Sequence, residues 1–352
     1  MTTTRKTRLT FDEIRAIPKP DLHCHLDGSL RIGTLLELAR KQKIQLPADS
    51  EEGMQKIIHK ATSSRNLTEY LRTFDFTLAV MQDEENIARI ATELCEDAWE
   101  DGVWYMEVRF SPILHQQKGL TLTHVMEAVL KGLREGERKT GIRTGVIICG
   151  IRQIEPSVSL RLAELTVAYK GRGVVGFDLA GIEDHYPAKD HADAFYLIRT
   201  NNVPCTVHAG EAWGPASIKQ ALHDLNAHRI GHGTRLVEDG DLLNYMNNHR
   251  IPLECCVSSN VHVGAAASVE THPIRFYYDY GLRVTVNTDN RLMSQTSISK
   301  EYDILQKRLG FTRVELEDIL IMGFKSAFLP YAERKELLAR VLDAIHRPHL
   351  PF

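Results

Sequence analysis

The sequence predicts an α/β fold, a (β/α)8 barrel of the TIM type, and three observations carry that prediction. Eight short β-rich runs recur along 352 residues, longer amphipathic stretches separate them, and residues able to bind a metal or move protons close several of the runs. Alternation of strand and helix implies parallel strands joined by right-handed crossovers. Eight such units close a barrel within this chain length, and a doubly wound open sheet is the alternative.

The runs cover 21–25, 103–110, 144–151, 174–180, 204–208, 229–232, 252–257 and 283–288. The first ends in His23-Cys24-His25, which puts two imidazoles on one face of an extended strand and the thiol on the other. Helical periodicity marks 32–41, 84–100, 123–140 and 158–170 between later runs. The interval from 25 to 103 is the longest and must hold extra structure, with Leu67, Tyr70, Leu71, Phe74 and Leu78 at helical spacing. That stripe either packs on the barrel wall or forms a lid. An insertion after strand one opens at the C-terminal face, so the expectation is a helical lid over the mouth. No linker or abrupt change of composition divides the chain, and residues 1–352 read as one domain.

Hydrophobic residues make up 43% and charged residues 25%, ordinary for a globular protein, and a net charge of -3 gives no footprint for nucleic acid or an anionic membrane. The start, Met1 to Lys6, leads into polar sequence without an apolar signal core, and no run approaches a membrane span. Six cysteines lie mostly inside apolar runs and form no Cys-x-x-Cys pair. They read as reduced, buried thiols of a cytoplasmic protein, which disfavours both a disulfide framework and a thiolate zinc site. The oligomeric state is not legible.

In a closed barrel the strand ends surround one mouth, where this architecture builds its chemistry. Strand one brings His23 and His25 there, strand five His208, strand six His232 and strand eight Asp289. Imidazoles and a carboxylate, with water completing the shell, suit a catalytic zinc. Glu211 follows His208 across Gly210, whose turn brings the carboxyl back over the mouth for general acid/base work. With four other ligands available, His232 reads as a base or electrostatic residue. His262 and His272 have no evident partner. Ser258 and Ser259 are either hydrogen bonders to the site or ordinary loop residues.

Taken together, Leu22-His23-Cys24-His25-Leu26-Asp27-Gly28-Ser29, Asp178-Leu179-Ala180-Gly181, His208-Ala209-Gly210-Glu211, Arg229-Ile230-Gly231-His232-Gly233 and Asn287-Thr288-Asp289-Asn290 resemble the adenosine deaminase family in order and spacing. The resemblance runs from about Lys19 to the C-terminal helices. It implies a metal-bearing barrel in which His23, His25, His208 and Asp289 bind one Zn2+ per chain. It implies further that Glu211 donates a proton to purine N1 and that His232 orients or deprotonates the attacking water. Gly181 would offer its N–H to N3, and Asp27 would hold the ribose 5′-hydroxyl. The implied substrates are adenosine and 2′-deoxyadenosine, and the products inosine or 2′-deoxyinosine with ammonia.

Asn290 stands where many members carry a second aspartate. Purine N7 is an acceptor, and an amide donates to it at any pH, whereas an aspartate must first be protonated. The alternatives are an adenine deaminase or a deaminase of a modified adenine nucleoside. Relatives acting on the free base tend to have Glu at position 27 and Asp at position 231 and to lack the Asp-Leu-Ala-Gly run, so all three features favour a nucleoside. A two-metal hydrolase would need a bridging lysine on strand four, and the run from Val174 to Gly181 has none.

Overall fold

The computed structural model describes residues 8–346 except 64 and 66. The N-terminal segment read above as lacking a signal lies outside the described residues. Eight parallel strands form: β1 (Lys19–His25), β2 (Val103–Phe110), β3 (Arg143–Ile151), β4 (Val174–Ala180), β5 (Thr206–Ala209), β6 (Arg229–His232), β7 (Leu253–Cys255) and β8 (Val284–Val286). They pair in chain order as β1-β2-β3-β4 and β5-β6-β7-β8. Parallel bridges join the remaining edges, Phe177 with Cys205 and Cys24 with Asp289. At the second seam His25 N–H donates to Asp289 O (2.7 Å) and Asp289 N–H to His23 O (2.8 Å). The ring therefore closes where the first and last strands carry site residues.

Helices follow the strands. The first half holds α1 (Phe11–Ala16), α2 (Ile32–Gln42), α3 (Glu51–Thr62), α4 (Leu67–Arg72), α5 (Phe74–Val80), α6 (Glu84–Glu100), α7 (Leu122–Thr140) and α8 (Pro156–Tyr169). The second half holds α9 (Ala192–Thr200), α10 (Pro215–Lys219), α11 (Gly240–Asn248), α12 (Val257–His262), α13 (Ile274–Tyr280), α14 (Ile298–Arg308), α15 (Arg313–Ser326) and α16 (Tyr331–His346). Side-chain caps fix several starts: Asp83 accepts from Asn86 N–H at α6, Thr121 from His124 N–H at α7, and Thr312 makes a reciprocal box with Glu315 at α15.

Strand β2 shows how period-two alternation builds two different cores. Met106, Val108 and Phe110 join the apolar layer between strands and helices. Tyr105, Glu107 and Arg109 alternate with them and enter a buried polar network. There Arg109 bridges Asp178 (2.9 Å) and Glu254 (2.9 Å), and Arg229 joins Glu254 (2.6 Å) to Glu107. Each charge in this interior thus faces an opposite one, the condition under which buried ions are tolerated.

The insertion between β1 and β2 contains four helices, α2 to α5, before α6. Tyr70, Leu71, Phe74 and Leu78 line the cavity at the mouth, and Tyr70 and Leu78 are also buried. The stripe therefore covers the mouth and packs at the same time; the side chain of Leu67 lies outside the described part. Tyr70 anchors the cover to the loop after β8 through its hydroxyl and Ser294 Oγ (3.1 Å). Among the described residues no helix is long and apolar enough to cross a membrane, and all six cysteines are free and buried.

Candidate metal and active site

Four side-chain atoms from β1, β5 and the turn after β8 converge at the C-terminal end of the barrel. His208 Nε2 lies 3.1 Å from both His23 Nε2 and His25 Nε2. Asp289 Oδ1 lies 3.5 Å from His23 Nε2 and 3.4 Å from His25 Nε2. Ligands about 2.0–2.1 Å from a tetrahedral zinc are separated by roughly 3.3 Å, so these spacings match the edges of such a shell.

The outer partners decide which lone pairs face inward. His23 Nδ1 donates to Glu254 Oε2 (2.8 Å), and His208 Nδ1 donates to Asp178 Oδ2 (3.0 Å). With Nδ1 of each ring turned to a carboxylate, the Nε2 atoms of His23 and His208 are the ones that face each other, and in the neutral form a metal requires both would offer it a lone pair. Burial holds His208 and His25 below the ordinary imidazole pKa, which keeps the rings neutral as metal ligands must be. Burial also works against ionisation of Asp289, but the surrounding imidazoles of His23, His232 and His25 outweigh it and hold the carboxyl below its usual range. Ser259 Oγ donates to the other Asp289 oxygen (2.5 Å). Ser259 is thus a partner of the site, whereas Ser258 N–H is turned to Glu301.

His232 enters a second four-residue cluster, in which ligand-type atoms of His23, His208, His232 and Asp289 all lie within 4.8 Å of one another. Hydrogen bonding distinguishes His232 from His25 as a ligand. Ile274 N–H donates to His272 Nδ1 (3.2 Å), so the proton of neutral His272 sits on Nε2. Burial lowers the His272 pKa to about 3, which keeps that ring neutral. His272 Nε2 then donates to Asn260 Oδ1 (3.1 Å), and Asn260 Nδ2 donates to His232 Nδ1 (3.0 Å). Neutral His232 must carry its proton on Nε2, where no lone pair is left for a metal. His25 Nε2, at 3.1 Å from His208 Nε2 and 3.4 Å from Asp289 Oδ1, takes the fourth place around the convergent atoms. His272, without a visible partner in the sequence, sets the tautomer of a site residue from twelve positions beyond Asn260.

Glu211 stands beside this cluster, its Oε1 3.6 Å from His232 Nδ1. The turn that places it depends on Gly210, at φ +71°. It depends equally on Glu183, whose carboxylate accepts the N–H groups of Gly210 (2.6 Å), Glu211 (3.0 Å), Ala212 (2.6 Å) and Trp213 (2.8 Å). Burial, then the charges of Asp289 and Glu183, push the Glu211 carboxyl well above its ordinary pKa. Such a group keeps its proton near neutrality and can give it away. His232 and Asp289 both occupy the left-handed region, at φ 64° and 58°. His and Asp are among the non-glycine types found there, and backbone strain of this kind collects at functional sites.

The adjoining cavity has a volume of about 250 Å3 and is lined by His25, Asp27, Gly181, Glu211, His232, Asp289 and Asn290 beneath the α4–α5 cover. Every site residue expected from sequence therefore either borders this space or, as with His23, lies directly behind it. Asp27 Oδ1 and Asn290 Oδ1 are buried there without a hydrogen-bond partner. Burial raises the Asp27 pKa to about 7. Oδ1 of Asn290 packs against Gly28, where a Cβ would come within 1.9 Å of it, and the side chain also hydrogen-bonds with Tyr70.

Glu254, Asp178, Arg109, Glu183, Asn260 and His272 were not assigned roles from the sequence. One signal existed: Glu254 is a carboxylate inside the otherwise apolar run 252–257.

Comparison with known proteins gives the same direction. A family model described as adenosine deaminase matches residues 18–344. "Adenosine deaminase 1" of Streptomyces coelicolor is 44% identical over 95% of this chain and 87% of its own length. "Probable adenosine deaminase" of Dictyostelium discoideum is 42% identical over 91% of this chain, which spans 42% of that longer protein. Among solved structures, adenine deaminase from Arthrobacter aurescens superposes with a TM-score of 0.88 at 25% identity, covering 94% of this chain and 100% of that one.

Proposed function

Because the chain belongs to the adenosine deaminase family, an enzyme family of hydrolytic adenosine deamination that depends on a metal, we propose how its own residues divide that reaction. The convergence of His23, His25, His208 and Asp289 beside a proton-bearing Glu211 carries the reading. Those four residues would hold one Zn2+ per chain, and the chemistry a bound zinc supplies is activation of water near neutral pH.

Adenine C6 resists attack because the ring is electron-rich and the amine leaves poorly. Glu211 gives its proton to N1 and so withdraws charge from C6. His232, with its proton on Nε2, donates a hydrogen bond to the attacking oxygen, and Asn260 holds the ring in that orientation. Gly181 offers its N–H to N3, and the Asn290 amide donates to N7. The partnerless oxygen of Asp27 receives the ribose 5′-hydroxyl, which removes the cost of a buried acceptor left unpaired. Of the two protons of the attacking water, one protonates the amine and one returns to Glu211, so the C6–N bond breaks, ammonia leaves and inosine remains with its N1–H.

The cavity also supports a choice of substrate. Among the described residues its lining includes the acids Asp27, Asp75, Glu211 and Asp289 and no lysine or arginine. A 5′-phosphate would meet carboxylates without a cation, so the nucleoside is favoured over the nucleotide. A Cβ at position 231 would lie 3.2 Å from both His208 Cα and His23 Cε1, so an Asp there would need these neighbours to shift by a few tenths of an ångström. Nothing in the lining is dedicated to a 2′-hydroxyl, which supports equal access for 2′-deoxyadenosine. The same reading takes residues 1–352 as one cytoplasmic catalytic domain.

The test is metal analysis followed by a spectrophotometric comparison of adenosine, 2′-deoxyadenosine, adenine and AMP on the loaded enzyme. One zinc per chain and turnover of the two nucleosides alone is expected. Two tightly held ions, or faster turnover of adenine, would overturn the reading.

A further inference from the structure

The opposite end of the barrel carries a second cavity of about 970 Å3, bounded by the N-terminal ends of β3 to β8 and the connection from α15 to α16. Its lining supplies Arg143, Lys170, Arg250, Arg283, Lys325 and Arg334 against a single acid, Glu333, besides Arg229, which is held by Glu107 and Glu254. This concentration of cations occurs in a chain whose net charge is -3. Glu333 is already engaged by Arg143.

Three of the other cations are held by carbonyls, which do not neutralise them. Lys170 Nζ donates to Asn201 O (2.7 Å), Arg334 Nη1 to Ala327 O (3.1 Å) and Arg250 Nη1 to Gly281 O (3.4 Å). Carbonyl partners fix where these groups sit and leave their charge in place. Arg283, half-buried, has no acid acting on it. Burial, then Arg250 and Arg334, depress its pKa. A guanidinium held against two like charges is an arrangement that an incoming anion relieves.

We propose that this basal bowl is an anion site that takes the phosphate chain of a polyphosphorylated small molecule. A single phosphate would leave most of the array unanswered, whereas guanidinium forks bind successive phosphate groups bidentately. The volume falls in the range of small-molecule sites. Val175, Pro204, Pro252 and Phe328 add an apolar ledge beside the cations, suited to the base and sugar of a nucleoside triphosphate. The site stands apart from the catalytic mouth, and its residues take no part in the proposed reaction.

Isothermal titration of the zinc-loaded full chain with tripolyphosphate and with ATP, at low and moderate salt, tests the site. The control is the double variant Arg250→Gln/Arg283→Gln, for which unchanged adenosine turnover reports an intact fold. One-to-one binding of tripolyphosphate that weakens at least tenfold in the variant is the expected result. Tighter binding of ATP would assign the ledge to a nucleoside, and equal affinity would assign the phosphate chain alone; either outcome supports the anion site. Binding unaffected by the two substitutions would mean metal chelation or occupation of the mouth, and would overturn the proposal. So would the absence of binding at low salt, or binding confined to RNA or an acidic peptide.

Discussion

The two ends of this barrel handle charge in opposite ways. In the interior behind the mouth the ions are matched, Arg109 lying between Asp178 and Glu254 and Arg229 between Glu254 and Glu107, while the mouth itself is lined by acids. Among those mouth groups, the space between three Nε2 atoms and Asp289 Oδ1 is the one whose donor atoms converge on a point. At the base the imbalance is reversed: apart from Arg229, which the interior acids hold, six cations face one engaged acid. One fold therefore displays a cavity that wants a cation and another that wants an anion. Both are recognised by the same test, which is asking what charge the neighbours leave uncompensated.

The largest effect should come from the mouth, at the residue that moves a proton without holding the metal. Glu211→Gln should lower kcat by about 10²–10⁴-fold with zinc content unchanged. Retained turnover would reassign the proton donor, and loss of zinc would make Glu211 a ligand. Glu254→Gln comes next, because Arg109, Arg229 and His23 all lean on that carboxylate. Removing one partner of a buried ion network costs about 3–5 kcal/mol, and loss of an outer partner weakens metal binding about 10–100-fold. Thermal unfolding with and without chelator separates the two contributions. A variant as stable as the parent would show that the interior does not need its charges matched.

How far the sequence revealed these two ends differs for a physical reason. Strand ends such as His23-Cys24-His25 and His208-Ala209-Gly210-Glu211 announce themselves because ligands from one strand lie close in sequence. The eight strands and the cover after β1 were legible in the same way, through local periodicity. Glu183 and His272 were not. Each acts across a long loop on another residue's backbone or amide, and neither carries a local pattern. The basal bowl was hidden more completely. Its cations come one at a time from strand starts, loops and the helices α15 and α16, so no charge run appears along the chain, and only closure of the barrel gathers them.

Two subtler changes at the mouth test whether positioning matters there as much as charge. Asn260→Asp keeps the shape but replaces the donor facing His232 with an acceptor, which moves the imidazole proton to Nδ1. A loss of about tenfold or more in kcat with KM little changed is expected, and nitrogen NMR of the histidine should show the switched tautomer. An unchanged tautomer would break the relay through His272. Glu183→Gln should act through pH. Glu211 works in its protonated form, so activity falls as pH rises through its elevated pKa. The Glu183 charge helps to raise that pKa, and removing it should move the alkaline limb of kcat to lower pH. A limb that stays in place would leave Glu183 as a clamp for the turn only.

The smallest expected effect is the most direct contrast between the ends, because its sign is reversed. Arg283→Gln removes a guanidinium that faces Arg250 and Arg334 with no acid acting on it. The loss should relieve repulsion, so the melting temperature rises by roughly a degree at low salt. Screening shortens the reach of these charges to about 10 Å at 0.1 M and 3 Å at 1 M, so the gain should shrink as salt is added. Polyphosphate should stabilise the parent more than the variant, because an anion relieves the same repulsion that the substitution removes. If Arg283→Gln instead lowers the melting temperature equally at all salt concentrations, Arg283 contributes through packing. The bowl would then be a compensated surface, and the contrast between the two ends would disappear.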